Sequence, residues 1–194
     1  MSVTTRTTAY TDGIVASQAI ANALQTSPAI ISQSFWLYAE FCRSLESTPP
    51  TKSDALACLS IASHWVSGSM PNPLSASAIS KFTETTAYNS SGETSITESQ
   101  IEASIAQVTS FMHNTNYKPL PVSTFDLTLQ RIESLFGTHW SKEPFGKTIV
   151  PVAIGVVNDM YRSPNCTQYH PDHWTFAAVH YAICSYLSEV RFIG

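Results

Sequence analysis

Three side chains that can bind a metal occur close together in the last third of the sequence. Cys166, His170 and His173 offer a thiolate and two imidazoles within eight residues, and His180 follows seven residues later. Zinc prefers such ligands, but a structural site needs four of them in tetrahedral geometry. The spacing lacks the paired C-x2-C pattern typical of structural zinc sites. A metal-dependent enzyme built on these residues is therefore the hypothesis that we favour least. We expect no metal or other cofactor.

Other catalytic motifs do not occur in the sequence. There is no G-x-S-x-G motif for a nucleophilic serine, and neither a G-x-G-x-x-G nor a Walker motif for a nucleotide. The chain contains only seven glycines, which leaves little material for a glycine-rich phosphate loop. We therefore expect that the chain is not an enzyme.

Composition limits the class of partner. The 194 residues are 43% hydrophobic, only 12% charged, and carry a net charge of −4. The ten basic residues are scattered, so the sequence predicts neither a nucleic-acid nor a membrane partner. Four widely separated cysteines favour a reduced chain over a disulfide scaffold, and no apolar leader precedes them. These features predict an intracellular protein, in the nucleus or the cytoplasm, whose partner is another protein.

One short stretch, Asp54–Trp65, has the composition of a central buried helix. Its sequence DALACLSIASHW mixes small and bulky apolar residues, contains no Gly or Pro, and has a single formal charge, Asp54. Small side chains allow other helices to approach closely. A second stretch of similar texture, FAAVHYAICSYL from Phe176, predicts another buried helix near the C-terminus.

Apolar periodicity and capping residues predict an all-α chain with five helices in roughly its first hundred residues. Residues 1–12 are Thr-rich and without periodicity, and they are predicted to be a flexible arm. The first helix would begin near Gly13, and Ser53 or Asp54 would cap the central helix. Pro28 is predicted in the first turn of the second helix, a polar turn is predicted at Asn89–Gly92, and Ser95 or Thr97 with Glu98 is predicted to start the fifth helix. We predict one lobe over residues 13–118 and a second, shorter helical lobe over residues 119–194.

The order of these helices resembles a cyclin box. The central segment Leu59–Ser67 resembles the family's third-helix pattern, and Phe35–Leu45 resembles its second helix. Glu102, followed by an aliphatic residue three positions later and an aromatic one nine positions later, resembles the fifth helix. Leu120–Phe125 and His170–Ala178 resemble the entry and the central helix of a second lobe. The resemblance implies a divergent or viral cyclin homologue with a five-helix bundle and an abbreviated second lobe.

The resemblance also implies a partner and a site. Cyclins bind a kinase of the cyclin-dependent type through their third and fifth helices, where a lysine and a glutamate hydrogen-bond to the kinase backbone. Glu102 keeps the glutamate, and His64 stands where the lysine is expected. The predicted partner-binding residues are His64 and Glu102 with three apolar neighbours, Ile61, Trp65 and Ile105.

Two alternatives stay open for this site. The family's acidic residues after the lysine are here Val66 and Ser67, and a histidine reaches less far than a lysine. These departures from the family pattern favour an alternative function, that of a helical adaptor or scaffold that keeps the fold without activating a kinase. The second alternative is that these residues bind no partner. His64 is then a helix-end histidine bonded to a backbone carbonyl, and Glu102 is a solvated first-turn carboxylate.

Overall fold

The computed structural model describes residues 3–45, 48–66, 74–85 and 95–193. These residues form an all-α structure, and no strand occurs among them. The chain divides into two compact units, unit 1 over Met1–Leu120 and unit 2 over Pro121–Gly194. The predicted lobe boundary after residue 118 lies near this division. The cyclin-like arrangement within the units stays a prediction.

Unit 1 contains five α-helices in chain order. They are α1 (Val3–Ala23), α2 (Pro28–Ser44), α3 (Lys52–Val66), α4 (Ala76–Thr85) and α5 (Glu98–Thr115). Pro28 stands at the first position of α2, where its missing N–H would have no helical partner. The predicted polar turn at Asn89–Gly92 lies outside the described residues.

Helix α1 begins at Val3, so the prediction that the first helix starts near Gly13 was wrong. The Tyr10 ring stacks on the Tyr38 ring with centroids 5.2 Å apart, and Arg6 donates hydrogen bonds to the carbonyls of Cys42 and Leu45. These contacts with the chain around α2 hold residues that show no helical periodicity of their own. Tertiary packing has therefore extended the helix beyond what the local sequence predicts.

Unit 2 contains three further α-helices, α6 (Thr124–Phe136), α7 (Pro144–Met160) and α8 (Pro171–Ile193), with short 3-10 turns at Trp140–Lys142 and Cys166–Gln168. Its core joins α6, α7 and α8 through Ile132, Ile149, Ala153, Val179 and Ala182. Ser123 caps α6, because its side chain accepts a hydrogen bond from the Asp126 amide at 3.0 Å.

Candidate functional site

The cap of helix α3 is Thr51, two to three residues before the predicted cap positions Ser53 and Asp54. The Asp54 amide donates to Thr51 Oγ1 at 3.2 Å, and the Thr51 amide donates to Asp54 Oδ2 at 2.8 Å. This reciprocal pair is a capping box with Thr51 as the N-cap residue, so Ser53 is not the cap. Asp54 is buried, and its carboxylate contributes to capping the N-terminus of α3.

Helix α3 is the centre of unit 1, as predicted. It packs against α1, α2, α4 and α5, and five consecutive residues from Ala55 to Leu59 are each at most 2% exposed. Five residues cover more than one helical turn, so every side of this segment is enclosed. Small polar residues also bind the chain entering α4: Ser60 Oγ donates to the Leu74 carbonyl at 2.7 Å, and the Leu74 amide donates to Ser63 Oγ at 3.0 Å.

Burial holds two side chains at the centre of unit 1, Cys58 and Tyr38, in their neutral forms. Burial raises the pKa of the Cys58 thiol well above its ordinary value, and the neighbouring Cys42 and Asp54 act in the same direction. Burial also raises the pKa of Tyr38, whose hydroxyl lies 3.4 Å from the Thr51 carbonyl. A buried thiol that stays protonated is a poor nucleophile, so Cys58 contributes packing.

His64 lies on the exposed end of α3. Its Nδ1 donates to the Ser60 carbonyl at 2.8 Å, one helical turn earlier, which leaves Nε2 as the acceptor of the neutral ring. The bond to a backbone carbonyl matches the structural interpretation of this histidine. Because the side chain is exposed, the ring can also be reached by a partner.

Glu102 lies near the start of α5, whose first turn is organised by a second capping box. Thr97 accepts from the Gln100 amide, and the Gln100 side chain accepts from the Thr97 amide at 2.8 Å. Thr97 was predicted as a cap residue, although its partner is Gln100 rather than Glu98. The Glu102 side chain is exposed, and its position within the second turn places it near the positive end of the helix dipole.

Helices α3 and α5 run parallel, and this separates the two predicted polar residues. At one end Ser104 Oγ lies 3.1 Å from Ser53 Oγ, and at the other the Trp65 ring stacks on Tyr117 with centroids 6.0 Å apart. Glu102 is therefore at the Ser53 end and His64 at the Trp65 end. With a rise of about 1.5 Å per residue, roughly 15–20 Å of helix lies between them.

Of the apolar site residues, Ile61 and Ile105 lie between these ends, and Trp65 lies at the His64 end. Ile61, Trp65 and Ile105 are half-buried, so they contribute both to the contact between helices and to the accessible surface. Trp65 belongs to an aromatic cluster that continues through Tyr117 and Phe111 to Phe41, with successive centroids 6.0, 6.0 and 5.6 Å apart. The cluster fixes the His64 end of α3 against α2 and α5.

Tyr117 is the member of this cluster that sequence reasoning missed. It follows α5 directly, after Asn116 turns the chain in a left-handed conformation with φ 50°. Its half-buried ring carries a hydroxyl that is itself buried, and burial raises its pKa above the ordinary value. An aromatic residue just beyond a helix end was the available signal, but its target could not be predicted without the packing of α3.

The suggested metal ligands do not form a cluster. Among the residues that the structure describes, no group of three or more His, Cys, Asp or Glu side chains could hold a metal ion. Cys166 is buried and His173 is exposed, and both line one cavity of unit 2. His170 faces Asp172, with Nδ1 3.5 Å from Oδ2, and its ring centroid is 6.1 Å from that of His173.

The chain was compared with protein-family models and with curated proteins. No family model matches the chain, and no curated protein matches it. Over the described ranges, no helix combines the length and apolar character needed to cross a membrane.

Proposed function

We propose that the chain is a cyclin-like regulatory protein that binds a protein partner through α3 and α5. The expected partner is a kinase of the cyclin-dependent type or the transcriptional machinery that such kinases serve. The central position of α3 among the five helices of unit 1 carries this proposal. It supports the helix order of a cyclin box, in which the third helix is the central one.

The surface of α3 and α5 offers the chemistry that such a contact needs. His64 and Glu102 are exposed hydrogen-bonding side chains, and half-buried Trp65 is of the residue type that supplies much of the binding energy in protein interfaces. A partner helix lying along the parallel pair could contact both polar residues, because the roughly 15–20 Å between them equals about ten to thirteen residues of helix. Kinase activation would then follow from preferential binding to the active state of the kinase.

A second candidate is an adaptor that has the same fold and binds a partner without activating a kinase. The separation of His64 from Glu102 favours it specifically. Two side chains at opposite ends of parallel helices cannot act as one pair on a short stretch of kinase backbone, which is the contact expected from the family resemblance. Under this hypothesis each residue contacts a different part of the partner.

Affinity capture followed by quantitative binding measurements distinguishes the two candidates. The full chain is used to capture partners from host-cell lysate. The phosphorylation rate of any captured kinase is then measured with and without added chain. A kinase whose rate rises supports regulation, whereas a partner that binds without any change in kinase rate supports the adaptor.

The proposed surface itself is tested with matched variants. His64→Ala and Glu102→Ala are compared with His139→Ala and Glu133→Ala, which remove the same chemical groups from exposed positions in unit 2. We expect each site variant to weaken binding of the captured partner by roughly 5- to 30-fold, with no change for the controls. Unchanged binding in both site variants would exclude this surface.

The double variant then tests the geometry. Sites more than about 7–10 Å apart usually contribute independently, to within about 0.5 kcal/mol. We therefore expect the free-energy losses of His64→Ala and Glu102→Ala to add. A coupling well above that value would mean that both residues hold one group of the partner, which would favour the kinase-binding mode of the family.

A further inference from the structure

Unit 2 contains a cavity of about 570 Å³ beside the first turns of α8. Its volume lies within the range of roughly 300–1,000 Å³ that is usual for small-molecule sites. Buried Cys166 and Trp174 and half-buried Met160 form its floor. The exposed side chains of Asn165, Gln168 and His173 surround its mouth. The floor is thus apolar and the rim is polar.

The floor is fixed in place by contacts behind it. Trp174 Nε1 donates to the Tyr169 carbonyl at 3.1 Å, and the Trp174 ring packs edge-on against Tyr161 with centroids 5.0 Å apart. The Tyr161 hydroxyl is in turn 2.8 Å from Thr124 Oγ1. Because the indole N–H is already bonded, Trp174 offers its ring surface to a ligand rather than a hydrogen bond. A preformed aromatic surface of this kind loses little entropy on binding.

The polarity of the cavity lining determines the class of ligand. Among the described residues no Asp, Glu, Lys or Arg side chain lines it, and the titratable His173 lies exposed at the mouth, so a charged group that reached the floor would lose hydration without an opposite charge beside it. Gln168 Nε2 donates to Asn165 Oδ1 at 3.4 Å, and the outer atoms of this pair, Asn165 Nδ2 and Gln168 Oε1, can donate to and accept from the ring nitrogens and carbonyls of a heterocycle. Sulfur atoms of Met160 and Cys166 make favourable contacts with aromatic rings.

We propose that this cavity binds an uncharged, planar heteroaromatic small molecule. Its ring lies against Met160, Cys166 and Trp174, and its polar edge hydrogen-bonds to the side chains at the mouth. The site is in unit 2 and uses no residue of α3 or α5. It therefore stands or falls separately from the protein-binding function proposed above.

Three probes with one ring test the predicted selectivity. Indole-3-acetamide is uncharged, indole-3-acetate is an anion and tryptamine is a cation at neutral pH. Each is titrated into the full chain while the NMR signal of the Trp174 indole N–H is followed. We expect the acetamide to bind at least about tenfold more tightly than either charged probe. Equal affinities, or no shift of this signal at millimolar probe, would overturn the proposal.

A cavity-filling variant locates the binding. Ala177 lines the cavity from an exposed position on α8, so Ala177→Leu adds volume there without disturbing the core. Ser188→Leu makes a similar addition at another exposed position of the same helix and serves as the control. We expect Ala177→Leu to weaken acetamide binding at least about tenfold and Ser188→Leu to leave it unchanged. Equal affinity in the two variants would place the probe elsewhere and refute the site.

Discussion

Helices α3 and α8 are built from the same kinds of residues, yet only α3 contains a segment that is enclosed on every side. In α3 the run from Ala55 to Leu59 is at most 2% exposed throughout. In α8 one face is buried at Ala178, Val179 and Ala182, while Phe176 and Tyr181 are 57% and 59% exposed. The prediction of a second buried helix from Phe176 was therefore wrong for its outer face.

The number of neighbouring helices explains this difference. Four helices of unit 1 pack against α3, whereas the main contacts of α8 within unit 2 are with α6 and α7. Alternating small and bulky residues permit close approach from any side, but they do not specify how many helices approach. Similar composition has thus produced a central helix in one unit and a peripheral one in the other.

Truncating a leucine on each helix gives the largest expected contrast. Leu59 is 0% exposed and Leu187 is 53% exposed. Leu59→Ala removes a side chain from a close-packed core and should lower the free energy of unfolding by about 2–5 kcal/mol. Leu187→Ala should change it by no more than about 0.5 kcal/mol.

Urea unfolding monitored by circular dichroism measures both leucine variants, and hydrogen exchange of the α3 and α8 amides assigns each change to its unit. A loss for Leu187→Ala comparable to that for Leu59→Ala would show that the outer face of α8 is buried in solution. That result would remove the distinction between the two helices.

Local signals in the sequence predicted much of the fold. Pro28 marked the start of α2, Thr97 marked the start of α5, and the small residues of Asp54–Trp65 marked the central helix. Each of these depends on residues within a few positions of one another. The α1 start was missed because Arg6 and Tyr10 are held by partners more than 25 positions away.

The candidate site was less predictable for the same reason. Sequence reasoning could place His64 on α3 and Glu102 on α5, but not the relative direction of the two helices. That direction is set by contacts such as Ser53 with Ser104 and Trp65 with Tyr117, which join positions about fifty residues apart. The cavity of unit 2 likewise requires a turn at Cys166–Gln168 to meet α8, which no periodic pattern indicates.

Two glycines provide a smaller contrast in packing between the units. A Cβ at Gly13 would overlap the hydroxyl and ring of buried Tyr38, whereas a Cβ at Gly155 in α7 would meet no atom within 4 Å. Gly13→Ala should therefore destabilise the protein by about 1–3 kcal/mol through overpacking. Gly155→Ala should stabilise it by about 0.5–1 kcal/mol, since alanine favours the helix interior.

Thermal and urea unfolding of the two glycine variants provide the comparison, with crystallography or NMR of Gly13→Ala to follow the Tyr38 ring. Stabilisation by Gly13→Ala would mean that Tyr38 moves at little cost. The packing of α1 on α2 would then be looser than the stacked Tyr10 and Tyr38 rings indicate.

The buried thiol of α3 gives the smallest expected effect, a dependence of stability on alkaline pH. Burial raises the pKa of Cys58 above its ordinary value of 9.0, so above about pH 9 the unfolded chain loses a proton that the folded chain keeps. The unfolded state then binds fewer protons, and the free energy of unfolding falls by up to about 1.4 kcal/mol per pH unit for this group. The stability that the protonated Cys58 thiol contributes is fully present below pH 9. It is lost as the pH rises toward the raised pKa of the folded state.

Cys58→Ala isolates this effect, because alanine removes the ionisable group and changes the packing by only one sulfur atom. Urea unfolding of both proteins at pH 7 measures the packing loss alone, which is the same at every pH. Between about pH 9 and 10 the variant should lose stability less steeply than the parent chain, and above pH 10 both should decline as Tyr38 begins to ionise in the unfolded state. Identical slopes would mean that the Cys58 thiol ionises as readily in the folded chain as in the unfolded one. Since a thiolate cannot be enclosed without water or a partner charge, that outcome would contradict the complete burial that distinguishes α3 from α8.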